Sequence, residues 1–353
     1  MLIHIDDVKQ GDRLGADAFN HSGVPLLKQG TLLTAEDITL LTRHQLDYID
    51  VETGATAPSL NDPSALVVPD LIGLPAQLKK NVELSLQTYQ SIFLESLTRG
   101  KFSGDLTGQL LEPLLLDLDG KKDVVSLLLM LEAEDDHIYS HSLKVGLLSY
   151  YIAGWLGHTE AECYRISRAG YLHDIGKSRL PSIIRGGKDS MNASEMKEYR
   201  MHTQYGYDLI MESLGDKPTA LVALQHHERG DGTGYPQRLY KNGIHAYTRI
   251  VSVADEFINM AAVNEDGSKQ GLVSILQNIY ELGFSKLHEK PVQALIYHMS
   301  PNLVGKRVEL DNGQQGIIIL ANQTDMFRPL IQTGEDFIDL AKERQVKIRK
   351  VFI

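Results

Sequence analysis

The sequence predicts a mainly α protein: an all-helical central domain between a small N-terminal α+β module and a small C-terminal β-rich module. Three observations carry this. From Val124 onward apolar residues recur at helical spacing through LLLMLEAEDDHIYSHSLKVGLLSYYIAGWLG, and the pattern persists to about residue 300. The first 52 residues instead break into short runs separated by turn signals. After Ser300-Pro301, the runs KRVEL and GIIIL flank Asp311-Asn312-Gly313, which reads as a hairpin.

In chain order, residues 1–52 form the first module. Leu2-Ile3-His4-Ile5 and Pro25-Leu26-Leu27 read as strands, with turns at Gly11, His21-Ser22-Gly23 and Gly30. Thr34 with Asp37 three residues on marks a helix start leading into ITLLTRHQ, and Tyr48–Val51 reads as a closing strand. Such a module serves packing, dimerisation or ligand sensing. Residues 53–122 are linker and helices: 53–75 are rich in Pro, Ser, Thr and Ala, and helical patterning runs from Leu74 to Thr98 before Arg99-Gly100. The helical domain spans 123–300 and the β-rich module 301–353, with RPLIQ and KIRKVFI as further strands.

A chain of 353 residues suits two or three domains. Its net charge of -11 argues against a nucleic-acid polymer or an anionic membrane as partner, although a metal site can invert the field locally. The single Cys163 excludes an intramolecular disulfide and any Cys-rich zinc module. No apolar run approaches the ~20 residues of a membrane span, and MLIHIDDVKQGDRL lacks the apolar core of a signal peptide. A cytoplasmic location is expected.

The chemistry gathers around His173-Asp174-Ile175-Gly176-Lys177. An imidazole and a carboxylate side by side suit a metal, and Lys177, three residues after Asp174, lies on the same helical face. One His-Asp pair means little, but His137, His141, His202, His226, His227 and Asp255 accompany it. His137 and His141 are four apart and project from one face. Ala169-Gly170 before the pair lets backbones approach closely. His226-His227-Glu228 runs into the Gly-rich RGDGTGYP, in which Glu228 reads as a partner that orders the loop or a histidine. A helical domain with a few core histidines gives no reason for HHERGDGTGYP. His158, His245, His288 and His298 fall outside the pattern.

Residues 130 to about 262 resemble the HD-GYP domains, a subgroup of the HD metal-dependent phosphohydrolases. HSLKV at 141–145, HDIGK at 173–177, His202 before TQYG, HHERGDGTGYP at 226–236 and GIHAYTRIVSVAD at 243–255 carry the likeness. The resemblance implies a helical bundle and hydrolysis of cyclic di-GMP, to pGpG or GMP, by a metal-bridging hydroxide in bacterial second-messenger signalling. It implies that His141, His173, Asp174 and Asp255 hold one metal and Asp174, His202, His226 and His227 a second, Asp174 bridging. Imidazoles and carboxylates without thiolate suit iron first, manganese next, and admit zinc. Lys177 would neutralise the substrate phosphate. Gly234, Tyr235 and Pro236 would contact substrate, Tyr235 by stacking on a guanine or bonding a phosphate oxygen, and the glycines at 230, 232 and 234 would let backbone approach it.

The sequence departs from the family in places. Most members carry Tyr four residues before the first ligand histidine, and a subset carries Glu that binds a third metal; here the residue is His137, a candidate third-metal ligand. The family's phosphate-gripping Arg after the last aspartate is replaced by Asn264, followed by Glu265 and Asp266. Loss of a bidentate guanidinium weakens a phosphate site, and Arg249 or Lys269 are the candidates to replace it. Arg185-Gly-Gly-Lys188 stands where members carry Lys-Pro-Gly. These departures leave two alternatives, a weakly active signalling module working through protein partners and a hydrolase of another cyclic or linear dinucleotide. Helical linkers of this kind often join domains in a homodimer.

Overall fold

The structure is a computed structural model that describes residues 2–5, 8–14, 18–19, 25–43, 48–52, 76–107, 111, 114–115, 138–185, 191–262, 270–322 and 325–352. The expectations for 53–75, for 124–137 with His137, and for Lys188, Asn264 and Lys269 lie outside these residues. The chain divides into two compact units, 1–67 and 68–353.

The first unit contains β1 (Leu2–His4), β2 (Arg13–Leu14), β3 (Ala18–Phe19), β4 (Pro25–Leu27), α1 (Ala35–Arg43) and β5 (Tyr48–Glu52). β5 lies antiparallel between β1 and β2, and β3 pairs with β4. Helix α1 starts where Thr34 and Asp37 satisfy one another's amides: Asp37 N donates to Thr34 Oγ1, and Thr34 N to Asp37 Oδ2. Ile5, Val8, Leu14, Leu33, Leu41, Ile49 and Val51 close a small core.

Ten α-helices of the second unit are described from end to end. These are α2 (Ala76–Arg99), α3 (Ile138–Trp155), α4 (Glu160–Leu172), α5 (Ser182–Arg185), α6 (Ala193–Arg200), α7 (His202–Leu214), α8 (Lys217–Gln225), α9 (Ala246–Ala261), α10 (Leu272–Leu282) and α11 (Glu289–Met299). Local chemistry starts and stops them. Thr159 with Glu162, and Asn192 with Glu195, form capping boxes at α4 and α6. Gly215 ends α7 in the left-handed region, and Asp216 then caps α8 through Thr219 N. Arg168 of α4 pairs with Asp216, tying these helices together.

Helix α3 is buried on most of its surface and so behaves as a central helix. It crosses α4 where Gly146 and Gly170 let the backbones meet, as the small residues of Ala169-Gly170 lead one to expect. Two apolar clusters form on these two helices. One joins them to α2, α7 and α8, and Tyr171 reaches across to donate to the Ser85 carbonyl. The other joins them to α9, α10 and α11.

The C-terminal strands form as expected, as an antiparallel sheet in the order β10-β6-β7-β8-β9. They are β6 (Arg307–Leu310), β7 (Gln315–Leu320), β8 (Leu330–Thr333), β9 (Asp336–Asp339) and β10 (Ile348–Phe352). Gly313 takes a positive φ in the β6–β7 turn, where Asn312 Oδ1 accepts from Gln314 N. The inward residues Val308, Leu310, Ile318, Ile331 and Ile338 join the same core as α9–α11. No described helix is long and apolar enough to cross a membrane.

Candidate metal centre

Six elements deliver the seven expected ligands to one point. His141 comes from the first turn of α3, and His173 is the C-cap of α4. Asp174 opens the 3-10 helix Ile175–Arg179, and His202 opens α7. His226 caps the end of α8 with His227 beside it, and Asp255 lies within α9. The apolar residues around them do the positioning. Gly176 packs on the backbone of α7, where any Cβ would overlap the His202 carbonyl and the Gly206 amide. That contact presses the turn carrying Asp174 against the start of the helix carrying His202.

The side chains fall into two groups whose ligand atoms lie within 4.8 Å of one another: Asp174, His202, His226 and His227, and His141, His173 and Asp174. Asp174 is common to both. Asp255 completes the second group, its Oδ1 lying 3.0 Å from His141 Nε2 and 3.7 Å from His173 Nε2. Asn259, one turn along α9, donates to the same Oδ1 at 3.0 Å.

The tautomers follow from the backbone. His173 Nδ1 lies 2.6 Å from the Gly170 carbonyl, His202 Nδ1 2.6 Å from the Tyr199 carbonyl, and His226 Nδ1 2.9 Å from the Ala223 carbonyl. A carbonyl only accepts, so each Nδ1 carries the proton and each neutral ring turns an Nε2 lone pair inward. Those lone pairs meet one another. His202 Nε2 and His226 Nε2 are 3.4 Å apart, and both lie 3.5 Å from Asp174 Oδ1. His173 Nε2, Asp174 Oδ1 and His227 Nε2 are buried with no hydrogen-bond partner. Acceptors facing acceptors in a buried space repel unless a cation lies among them. The donor set therefore fits divalent metal.

Ionisation points the same way. Burial pushes His202 down to about 3 and His227 well below the usual imidazole range, so both stay neutral. Burial opposes the charge on Asp174, but the Lys177 ammonium and His173 outweigh it and hold the carboxyl well below the ordinary range. Asp255 is lowered likewise: burial opposes, but the hydrogen bond from His141 prevails. Lys177 Nζ sits 2.6 Å from Asp174 Oδ2 and over the Tyr199 ring. Burial works against its charge, yet Asp174 raises it, so Lys177 is a fixed cation.

The Gly-rich loop closes one side. Glu228 is fully buried and accepts from the amides of Gln237 (2.6 Å) and Leu239 (2.8 Å), the loop-ordering role expected of it. The Gly234 position packs on the backbone of His227–Arg229 and has no room for a Cβ. This corrects the expectation of backbone approach to a ligand there, because Gly234 serves the loop's own packing. Tyr235 stacks on His227 at 4.7 Å, and the Arg200 guanidinium lies 4.8 Å from the Tyr235 centroid. Both groups lie against the ring that was expected to stack on a guanine. Pro236 follows through a cis peptide and is exposed. Arg249 donates to the Ile244 carbonyl at 2.9 Å, where its charge bears on His245 and His288.

Sequence reasoning missed Tyr199, Arg200, Asn259 and the pair Arg229–Glu256 (2.7 Å). Arg229 also donates to the His226 and Glu228 carbonyls, and so fixes the backbone that carries two of the expected ligands. Spacing offered a signal only for Asn259, four residues after Asp255. The other four lie on segments that meet only in three dimensions.

An HD domain family model matches residues 126–278. A cyclic di-GMP phosphodiesterase of Thermotoga maritima is 30% identical over 211 residues, 59% of this chain and 57% of its own length. The cyclic di-GMP phosphodiesterase response regulator RpfG of Xanthomonas campestris pv. campestris is 39% identical over 108 residues, 30% of this chain and 29% of its own length. The 3'3'-cGAMP-specific phosphodiesterase 2 of Vibrio cholerae is 31% identical over 153 residues, 42% of this chain and 29% of its own length. The chain thus spans little more than half of the first relative and under a third of the other two. Among solved structures, Bd1817, a HDG"Y"P protein from Bdellovibrio bacteriovorus, shares the fold. Its TM-score is 0.51 at 16% identity, covering 84% of this chain and 97% of that one.

Proposed function

Residues 126–278 match an HD domain family model, and from that premise we propose that the chain is a metal-dependent phosphodiesterase of the HD-GYP kind acting on cyclic di-GMP. The observation that supports this most is the inward convergence of seven candidate ligand side chains, with the Nε2 atoms of His202 and His226 facing one another at 3.4 Å. His141, His173, Asp174 and Asp255 would hold one metal, and Asp174, His202, His226 and His227 the other. Bound there, two divalent ions supply an acidified water and neutralise charge on a phosphodiester. Iron is the first choice and manganese the second, since no thiolate is present.

This chain's own residues do the rest. The carbonyls of Gly170, Tyr199 and Ala223 hold the three imidazoles in the ligating tautomer. Lys177 keeps its proton, so it acts as a fixed charge beside the phosphate and not as a base. Burial holds the Tyr235 phenol protonated, so its hydroxyl stays a hydrogen-bond donor. Asn259 and Arg229 steady Asp255 and the His226-His227 backbone.

The test is an anaerobic assay of iron- or manganese-loaded protein with cyclic di-GMP, the products resolved by mass. Turnover should disappear in Asp174→Ala. The linear dinucleotide as sole product indicates a two-metal centre, and GMP indicates a larger site that includes His137. Metal-loaded protein without turnover would overturn the proposal. A second reading, another 3'3' cyclic dinucleotide as substrate, is favoured by the comparable identity to the cGAMP-specific relative. Assaying 3'3'-cGAMP in parallel decides between them by kcat/KM.

A further inference from the structure

We propose that Arg200, lying on Tyr235, is a phosphate-binding residue of this centre that grips the second phosphodiester of a cyclic dinucleotide. The inference rests on the phosphodiesterase reading and names a contact within it. A cyclic dinucleotide carries two phosphodiesters. Only one can lie at the ligand cluster beside Lys177, so the other needs a cation elsewhere. After Asp255 the chain offers Asn264, Glu265 and Asp266 where a guanidinium would serve.

Arg200 offers that guanidinium from a different element. It ends α6 two residues before His202, and Thr203 Oγ1 donates to its carbonyl at 3.0 Å. Its side chain is exposed, and among the described residues no carboxylate pairs with it. The guanidinium lies over the Tyr235 ring at 4.8 Å, and that ring stacks on His227 at 4.7 Å. Arg200 is therefore two stacking steps from the buried cluster, on the solvent side. A guanidinium held against an aromatic face leaves N–H donors free, and its fork can take a phosphate bidentately. Tyr235 is then the platform that holds the fork in place. A lysine at this position would carry the charge without the fork.

The experiment uses the full chain loaded with metal, comparing wild type with Arg200→Gln and Arg200→Lys on cyclic di-GMP. Steady-state kinetics and equilibrium binding are both read, together with bound metal. Arg200→Gln should raise KM and Kd about tenfold, the scale of one lost charge-assisted pair. The kcat should stay within about threefold and metal content should not change. Arg200→Lys should recover part of the affinity, and added salt should weaken wild-type binding more than that of Arg200→Gln. An unchanged KM and Kd in Arg200→Gln, with wild type active, overturns this inference alone. So does a fall in kcat and metal content at constant KM, which would mean that Arg200 only orders the loop. Wild-type protein that holds metal yet neither binds nor hydrolyses a cyclic dinucleotide overturns the phosphodiesterase reading, and this inference with it.

Discussion

At the residue scale, the chemistry of the centre is set by what the histidines donate to. Three Nδ1 protons point at carbonyls within 2.9 Å, so three lone pairs point at each other. A cation relieves that repulsion only in the folded state, so metal should raise the melting temperature by on the order of 5 °C, and a chelator should reverse it. Calorimetry of treated and untreated protein checks this; equal melting with metal demonstrably bound would contradict it. A histidine outside the centre provides a pH prediction. His288, at the start of α11, is pushed down to about 4 by burial and by the nearby Arg249 and Lys241. An unfolded imidazole titrates near 6.5, so the unfolded chain takes up the proton first as pH falls. Its contribution is full above about 6.5 and drains away toward 4. The melting-temperature gap between wild type and His288→Gln should therefore shift against wild type over that window. A gap that stays constant would show that His288 titrates normally.

At the scale of elements, the site depends on where helices end. His173, His226 and their neighbours follow the last turns of α4 and α8, where the chain leaves the helix with its carbonyls still free to orient imidazoles. The contact between the Ile175–Arg179 turn and α7 is backbone on backbone at Gly176 and Gly206. Gly176→Ala should cost about 1–3 kcal/mol, since neither backbone can yield. It should also part Asp174 from His202 and lower bound metal, which elemental analysis of folded protein would report. Full metal content would mean that the crossing relaxes without moving the ligands. The motif HDIGK was legible because its chemistry is local, down to the glycine. The crossing that makes this glycine obligatory was not, because its partner lies thirty residues on.

At the scale of the whole molecule, the C-terminal sheet shares its core with α9, α10 and α11, so the helix bearing Asp255 rests on a core that β-strands complete. Ile318, fully buried in β7, belongs to it. Ile318→Ala should cost about 2–5 kcal/mol and lower the melting of the helical signal as well as that of the sheet. Circular dichroism at a helix-specific wavelength reads this. A helical transition that stays in place would show that the sheet melts by itself.

The sequence by itself indicated the class of the described segments and the seven candidate ligand positions. Helical periodicity, capping pairs such as Thr34 with Asp37, and the turn at Asn312-Gly313 act over a few residues, and adjacent candidate ligands such as His173-Asp174 or His226-His227 declare themselves in the same range. Tertiary structure decided what depends on long-range packing: the common meeting point of α3, α4, α7, α8 and α9, the covering of Tyr235 by Arg200 and His227, and the joining of sheet to helices in one core. Those contacts arise because buried apolar faces choose their partners by shape and volume, which no local pattern encodes.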